Sequence, residues 1–174
     1  MSADSDATDS HPIAPTTRTT PAESTANASP STTATRLFER VLLVTKDDEA
    51  GSAATETALN VAAAHGATID ALYVVDTTEH WDMAVERHER TGEALVEEVE
   101  RRGEARGLDV EKRFRYGTAH DEVLNFAAAH DPDLIVVGSA RRTGLDRLLH
   151  PDTVPVRVQR GAEAPVMIVG ADIH

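Results

Sequence analysis

Short apolar runs alternate with longer amphipathic stretches along the chain from Leu37 onward. Compact apolar runs bounded by turn residues are typical of strands buried on both faces, and apolar residues three or four positions apart are typical of helices. The runs predict five strands, at Val41–Thr45, Thr68–Val75, Val110–Tyr116, Leu134–Val137 and Pro165–Val169. Because strands and helices alternate, the pattern predicts an α/β fold, a single doubly wound domain with a five-stranded parallel sheet and helices on both faces.

The polar stretches between the strands carry the helix signals. Ser52 is predicted to cap the first helix and Gly66 to end it. A long, mostly solvent-facing helix is predicted over residues 83–106, and Thr118 is predicted to cap the third helix. The last helix, at residues 153–160, requires Pro155 to lie in its first turn, because proline has no N–H to donate further along a helix.

Residues 1–36 differ from the rest and consist almost entirely of Ser, Thr, Ala, Pro, Asp and Asn. After Met1, Ile13 is the only large aliphatic residue among them. So little apolar surface cannot offset the entropy of ordering the backbone. We therefore expect a disordered tail at 1–36 and a folded domain at 37–174. The Ser and Thr residues of this tail could be modified, but such tails are often inert and solubilising.

Charge and composition narrow the possible partners and compartments. The chain has 30 acidic and 17 basic residues, and its net charge of -13 would repel nucleic acid and anionic membranes. Only Lys46 and Lys112 are lysine, and such an acidic, lysine-poor surface is similar to those of halophilic proteins. The absence of cysteine excludes disulfides and thiolate chemistry. No apolar run approaches the roughly 20 residues of a membrane helix, and no secretory signal is visible, so we expect a cytoplasmic protein.

The most informative stretch is the loop after the fourth predicted strand. Gly138 and Ser139 stand at the carboxyl end of an apolar run that is predicted to be buried on both faces. Open α/β sheets bind ligands at that end of their strands, and glycine lets backbone N–H groups approach a phosphate closely. The loop therefore predicts a ligand site, with a phosphate group as the first candidate.

Several segments with a recognisable order and spacing extend this interpretation. They are Val41–Val44, Ala71–Asp76, Tyr116–Thr118 and Asp133–Ser139, the last followed by Gly144–Leu149 and Ala164–Val169. With them, residues 40–170 resemble the universal stress protein family. The resemblance implies an adenine nucleotide alpha hydrolase-like sheet, a cytoplasmic role in stress response, and a homodimer formed by pairing of the last strands.

The last strand suits such a dimer interface. An uncovered apolar edge strand would otherwise invite uncontrolled pairing. The residues that would form the interface are Val166, Met167, Ile168 and Val169. The alternative is an edge shielded by the chain's own termini.

The nucleotide-binding branch of that family implies a motif of glycine, two residues, glycine, nine residues, and then glycine with serine or threonine. Gly138 matches the first position, but Arg141 stands where the second glycine is expected. At the end of the motif, Pro151 and Asp152 precede Thr153. One extra residue in the loop is needed to align the Thr153 hydroxyl with the serine or threonine of the motif. Pro151 removes a donor, and Asp152 would place a carboxylate near phosphate oxygens.

The same branch implies an aspartate at the end of the first strand, where this chain has Lys46. A lysine has no acceptor, and Asp47 or Asp48 could replace the aspartate only by a shift of register. We therefore expect no ATP with Mg²⁺ bound in the family manner, although a different anion is compatible with the loop. If ATP or another anion binds, the contact residues are Gly138, Ser139, Arg141, Gly144, Thr153, Lys46 and Val75. The alternative is that the loop arginines pair with neighbouring acids on a solvated surface.

Other site chemistries find little support in the sequence. The histidines lack the spacing of paired metal ligands, so no metal site is predicted. No Gly-x-Ser-x-Gly pattern surrounds Ser139, so no catalytic residues are predicted. Trp81 fits either an anchor at a partner surface or packing against the long helix.

Two functional hypotheses follow. The first is a non-catalytic, dimeric stress protein domain that acts through protein contacts or a small anionic ligand. The second is an ATP-binding switch that uses the loop from Gly138 to Thr153, with nucleotide hydrolysis as a further alternative.

Overall fold

The secondary structure follows the predicted alternation of strands and helices. The computed structural model describes residues 36–77, 82–140 and 153–171, without the side chains of residues 82–84. The strands are β1 (Arg40–Val44), β2 (Thr68–Val75), β3 (Val110–Tyr116), β4 (Leu134–Ser139) and β5 (Val166–Gly170). The helices are α1 (Glu49–His65), α2 (Asp82–Glu104), α3 (Ala119–His130) and α4 (Val154–Gly161). Residues 1–35 of the predicted tail lie outside the described residues.

All five strands are parallel, in the order β3-β2-β1-β4-β5. At the carboxyl end of the central strand β1, Val44 lies between Leu72 of β2 and Val137 of β4. At the other end, one carboxylate oxygen of Asp133 accepts the backbone N–H groups of Glu39 and Arg40 at 2.7 and 2.9 Å. The predicted doubly wound parallel sheet is confirmed.

Helices cover both faces of the sheet, so β1 is buried on two sides. Val41 and Leu43 pack in the core beneath α1 and α2, and Leu42 packs in the core beneath α3 and α4. All three side chains are fully buried. This double burial is why the central strands have continuous apolar sequences instead of alternating ones.

The first helix begins earlier than the sequence indicated. Asp48, with extended backbone, is its N-cap, and its Oδ1 accepts the Gly51 N–H at 2.7 Å. The prediction of Ser52 as the cap was wrong, because Asp48 already satisfies a free N–H of the first turn and Ser52 lies inside the helix. The predicted end is confirmed, since Gly66 has a φ of 65°, the left-handed region that glycine adopts without strain.

The later helix boundaries agree with the sequence, with one difference in detail. Thr118 and Thr153 occupy the N-cap positions of α3 and α4, but neither side chain makes a capping hydrogen bond. Pro155 lies in the first turn of α4, as its missing N–H requires.

A buried carboxylate links the three strands on one side of the sheet. Asp70 of β2 is fully buried, and its two oxygens accept hydrogen bonds from Arg40 of β1 at 2.9 Å and from Arg113 of β3 at 3.1 Å. Arg113 also pairs with Glu111. The hydrogen bond that Arg40 donates to Asp70, together with the charge of that carboxylate, raises the pKa of Arg40. The network compensates the charge of the buried aspartate.

Candidate functional site

A cavity of about 280 Å³ lies at the carboxyl ends of β1 and β4. β1 and β4 are neighbours in the sheet, and the helices that follow them, α1 and α4, pack on opposite faces, which is where open α/β sheets have a crevice. The described residues that line it are Val44, Thr45, Lys46, Tyr73, Val74, Asp76, His88, Ala119, Val137, Gly138, Val154 and Pro155. Open α/β sheets bind ligands at this position, which makes the cavity the candidate site.

Gly138 is required here by packing, independently of any ligand. A Cβ atom on Gly138 would lie 2.4 Å from the carbonyl oxygen of Ala50 and 2.8 Å from the backbone nitrogen of Gly51. The first turn of α1 therefore rests directly on the end of β4. The glycine that the motif assigns to phosphate binding also sets the distance between this helix and the sheet.

Lys46 lies in the connection between β1 and α1 and pairs there with Asp48, the N-cap of α1. Its Nζ lies 2.7 Å from Oδ2 of Asp48, and its side chain is 66 % exposed. Burial alone would raise the pKa of Asp48, but the hydrogen bonds from Lys46 and from the Gly51 amide lower it below its usual value. Lys46 thus places an ammonium group, paired with Asp48, where the family resemblance implies an acceptor.

Helix α2 forms a second wall. A Cβ atom on Gly92 would lie 2.3 Å from the Tyr73 ring, so this glycine lets α2 approach β2 closely. Tyr73 is 8 % exposed, and burial, assisted by the charge of Asp47, raises its pKa. One helical turn before Gly92, His88 reaches the cavity from α2.

The two ends of the predicted phosphate loop meet at the cavity. Gly138 at the end of β4 and Val154 and Pro155 in the first turn of α4 all line it. Thr153 directly precedes this turn and is half-buried. Arg141 and Gly144, like Pro151 and Asp152, lie outside the described residues.

The remaining predicted contacts fall beside the cavity. Ser139 ends β4 and is half-buried. Val75 is fully buried in the core beneath α1 and α2, whereas its neighbour Val74 lines the cavity. Trp81 also lies outside the described residues.

Sequence reasoning did not identify Tyr73, Asp76 and His88 as lining residues. A signal for His88 was present, because it lies four residues before Gly92 and eight before Val96, whose side chain is buried. This spacing places it on the inner face of α2. The close approach at Gly92, which brings that face to the cavity, is not readable from the pattern.

Two other cavities lie elsewhere in the described part of the chain. One of about 390 Å³ lies at the amino ends of β4 and β5, around Leu124, Pro132 and Gly161. Another, of about 270 Å³, lies between the start of α1 and α2. The first is larger than the candidate site, but it lies at the edge of the sheet where α/β folds do not place their ligands.

Among the described residues, no group of three or more His, Asp or Glu side chains is arranged to hold a metal ion. None of the helices seen there combines the length and apolar character needed to cross a bilayer.

Comparison with known proteins agrees with this architecture. Residues 37–170 match the model of the Universal stress protein family. A universal stress protein of Methanocaldococcus jannaschii is 28% identical over 141 residues, which cover 76% of this chain and 82% of that protein. A solved universal stress protein in complex with cAMP has a TM-score of 0.62 at 22% identity and covers 78% of this chain and 98% of its own. A universal stress protein family protein of Arabidopsis thaliana with AMP bound has a TM-score of 0.57 at 21% identity. The match covers 77% of this chain and 92% of that protein.

Proposed function

Because the chain belongs to the universal stress protein family, we propose that it is a non-catalytic, dimeric stress-response protein whose carboxyl-edge cavity holds a small anionic ligand. ATP is not bound in the family manner. The observation that carries this proposal is the position of Lys46, whose ammonium group, paired with Asp48, lines a cavity at the ligand-binding edge of the sheet.

The size and lining of the cavity support a compact ligand. Its volume of about 280 Å³ is near the lower end of the about 300–1,000 Å³ typical of small-molecule sites. Valine side chains from β1, β2, β4 and α4 offer apolar surface, while Lys46, Asp76 and His88 supply polar contacts. The related proteins solved with cAMP and with AMP hold ligands that combine an aromatic base with one phosphate group.

The chemistry of the described lining residues supports a binding role over catalysis. The Thr45 hydroxyl donates to the carbonyl oxygen of Leu72 at 3.0 Å. Lys46 pairs with Asp48. A nucleophile held within hydrogen-bonding distance of a base is the usual sign of covalent catalysis, and these contacts serve the turn and the helix cap instead.

The edge of β5 supports the dimer. In the described ranges β5 pairs with β4 alone, and Ile168 is 37% exposed. We expect Ile168→Lys to convert a dimer into a monomer, because a charge on an edge strand opposes edge-to-edge pairing. Sedimentation velocity measures the change. Leu37→Lys is the matched control, since Leu37 is 66% exposed but lies outside the strand. A parent protein that sediments as a monomer at micromolar concentration would contradict the dimer.

The second candidate function is the ATP-binding switch. It is favoured by one observation, namely that the two ends of the Gly138–Thr153 loop meet at the cavity, as a phosphate-binding loop requires. The two candidates differ in the ligand that binds and in whether Lys46 opposes the binding of ATP.

Calorimetric titration with magnesium-ATP, after extraction of any co-purified nucleotide, separates them. We expect the parent protein to bind ATP no more tightly than about 1 mM, and Lys46→Asp combined with Arg141→Gly and Pro151→Gly to bind at least about tenfold more tightly. The restored aspartate supplies an acceptor, Arg141→Gly lets the backbone approach the phosphates closely, and Pro151→Gly supplies the N–H group that proline lacks. Lys112→Asp in β3 is the control for the change in charge. Micromolar ATP binding by the parent protein would instead favour the switch.

A further inference from the structure

We infer that His88 is a ligand-contacting residue of this cavity and that, together with Lys46, it makes the affinity for an anionic ligand rise as the pH falls. The inference rests on the proposed small-ligand function and adds to it the charge that the ligand must carry. Neither the motif nor the family resemblance assigns a role to a residue of α2.

The position of His88 is fixed by the packing of α2 on the sheet. Gly92 brings the helix against the Tyr73 ring, and Val96 and Val99 continue the buried face of the helix. His88, on the same face, is half-buried with its Nδ1 shielded from solvent, and it lines the cavity. A half-buried polar side chain that borders a cavity can contact a ligand without a rearrangement of the backbone.

The charged and titratable groups around His88 come from each neighbouring element. Lys46 comes from the β1–α1 connection, together with Asp47, whose charge acts on Tyr73. Tyr73 comes from β2, and Asp76 directly follows that strand. On α2 itself the next residue is Glu89, whose Oε1 accepts the hydroxyl of Tyr116 of β3 at 3.0 Å.

Histidine is the side-chain type whose charge ordinarily changes near neutral pH. Carboxylates and lysine ammonium groups ordinarily keep their charges between about pH 5 and 8, whereas a histidine side chain ordinarily titrates in this range. The pKa of Tyr73 is raised by burial, so its hydroxyl stays neutral there.

The sign of the effect follows from charge. Protonation adds a positive charge on the α2 wall to the one that Lys46 already places at the rim. An anion is attracted by both, whereas an uncharged ligand of the same shape is not. Binding of an anion and binding of a proton to His88 therefore favour each other, and acid pH strengthens anion binding.

The probe for the test is cAMP, with adenosine as the uncharged control. The phosphodiester of cAMP keeps one negative charge across the pH range, so only the protein changes its charge. Affinities are measured by calorimetry at pH 5.5 and pH 8 for the full chain. We expect cAMP to bind about twofold to fivefold more tightly at pH 5.5, the range that a partly exposed ion pair provides. Adenosine should show no such change.

Three variants isolate His88. His88→Gln should abolish the pH dependence and keep the weaker affinity at both pH values. His88→Lys, with a charge that does not depend on pH, should abolish the pH dependence and keep the tighter affinity. His65→Gln is the matched control, because His65 also has a buried Nδ1 but lies at the far end of α1. It should behave as the parent protein does, and thermal melts verify that each variant is folded.

The outcomes separate this inference from the proposed function. If neither cAMP nor adenosine binds the parent protein at millimolar concentration, the proposed small-ligand function fails, and this inference fails with it. If cAMP binds with the same affinity at both pH values, or if His88→Gln retains the pH dependence, the assignment of His88 is wrong while the ligand site stands.

Discussion

Replacing Gly138 by alanine is expected to lower the free energy of unfolding by about 2–4 kcal/mol. The new Cβ would lie 2.4 Å from the Ala50 carbonyl oxygen and 2.8 Å from the Gly51 nitrogen. Both are backbone atoms in the first turn of α1, so the clash can be relieved only by moving the helix or the end of β4. Chemical denaturation of the parent protein and the variant, without added ligand, measures the loss.

Gly170→Ala is the matched control for Gly138→Ala. Gly170 also ends a strand, but a Cβ atom there would meet no atom within 4 Å. Its replacement should change the free energy of unfolding by less than about 1 kcal/mol. A Gly138→Ala variant as stable as the parent protein would mean that the first turn of α1 is not seated on β4. The glycine would then have to be explained by contact with a ligand.

Asp70→Asn is expected to lower the free energy of unfolding by about 2–3 kcal/mol. Arg40 and Arg113 pair with Asp70 from opposite sides. The change removes the negative charge between them and leaves two guanidinium groups facing each other. Because both arginine side chains are about one-third exposed, water compensates part of the loss, so the effect is smaller than for a fully buried network. The same denaturation experiment measures it.

A double-mutant cycle with Arg113→Gln assigns the loss to the network. If the network is responsible, the two substitutions together should cost clearly less than the sum of their separate effects. Asp121→Asn on α3 is the control, because that carboxylate is exposed and contacts only His120 among the described residues. Strictly additive effects would mean that Asp70 contributes through packing and not through its charge.

The sheet could be predicted from the sequence because its strands are buried on both faces. Runs such as residues 134–137 have no polar alternation, and helices with Gly66 or a capping residue at their ends separate them. Strand ends were predicted to within about two residues. The start of α1 was missed, because Asp48 and Ser52 are equally good capping residues and only the tight turn after β1 selects the earlier one.

The contacts across the sheet could not be predicted in the same way. Asp70 is a single polar residue in an apolar strand, and its two arginine partners lie 30 and 43 residues away. Strand order and register decide whether these side chains meet, and the hydrophobic pattern of the sequence specifies neither.

The candidate site was predictable in part. The ends of β1 and β4, with Lys46 and Gly138, were identified from the rule that parallel sheets bind ligands at the carboxyl ends of their strands. The contribution of α2 was not, because it depends on how closely the helix packs at Gly92. The sequence also indicated one role for Gly138, and the structure adds a second in seating α1.

The most direct test of the proposed ligand site is a residue-resolved NMR titration of the isotope-labelled full chain with cAMP. We expect the largest shifts of backbone amides at Lys46, Asp76, His88, Gly138 and Val154, which line the carboxyl-edge cavity. Lys46→Gln should weaken these shifts, because it removes the positive charge at the cavity without adding the acceptor that an aspartate would supply. Amide shifts centred instead on Leu124, Asp131 and Gly161, around the larger cavity at the other end of the sheet, would contradict this assignment of the ligand site.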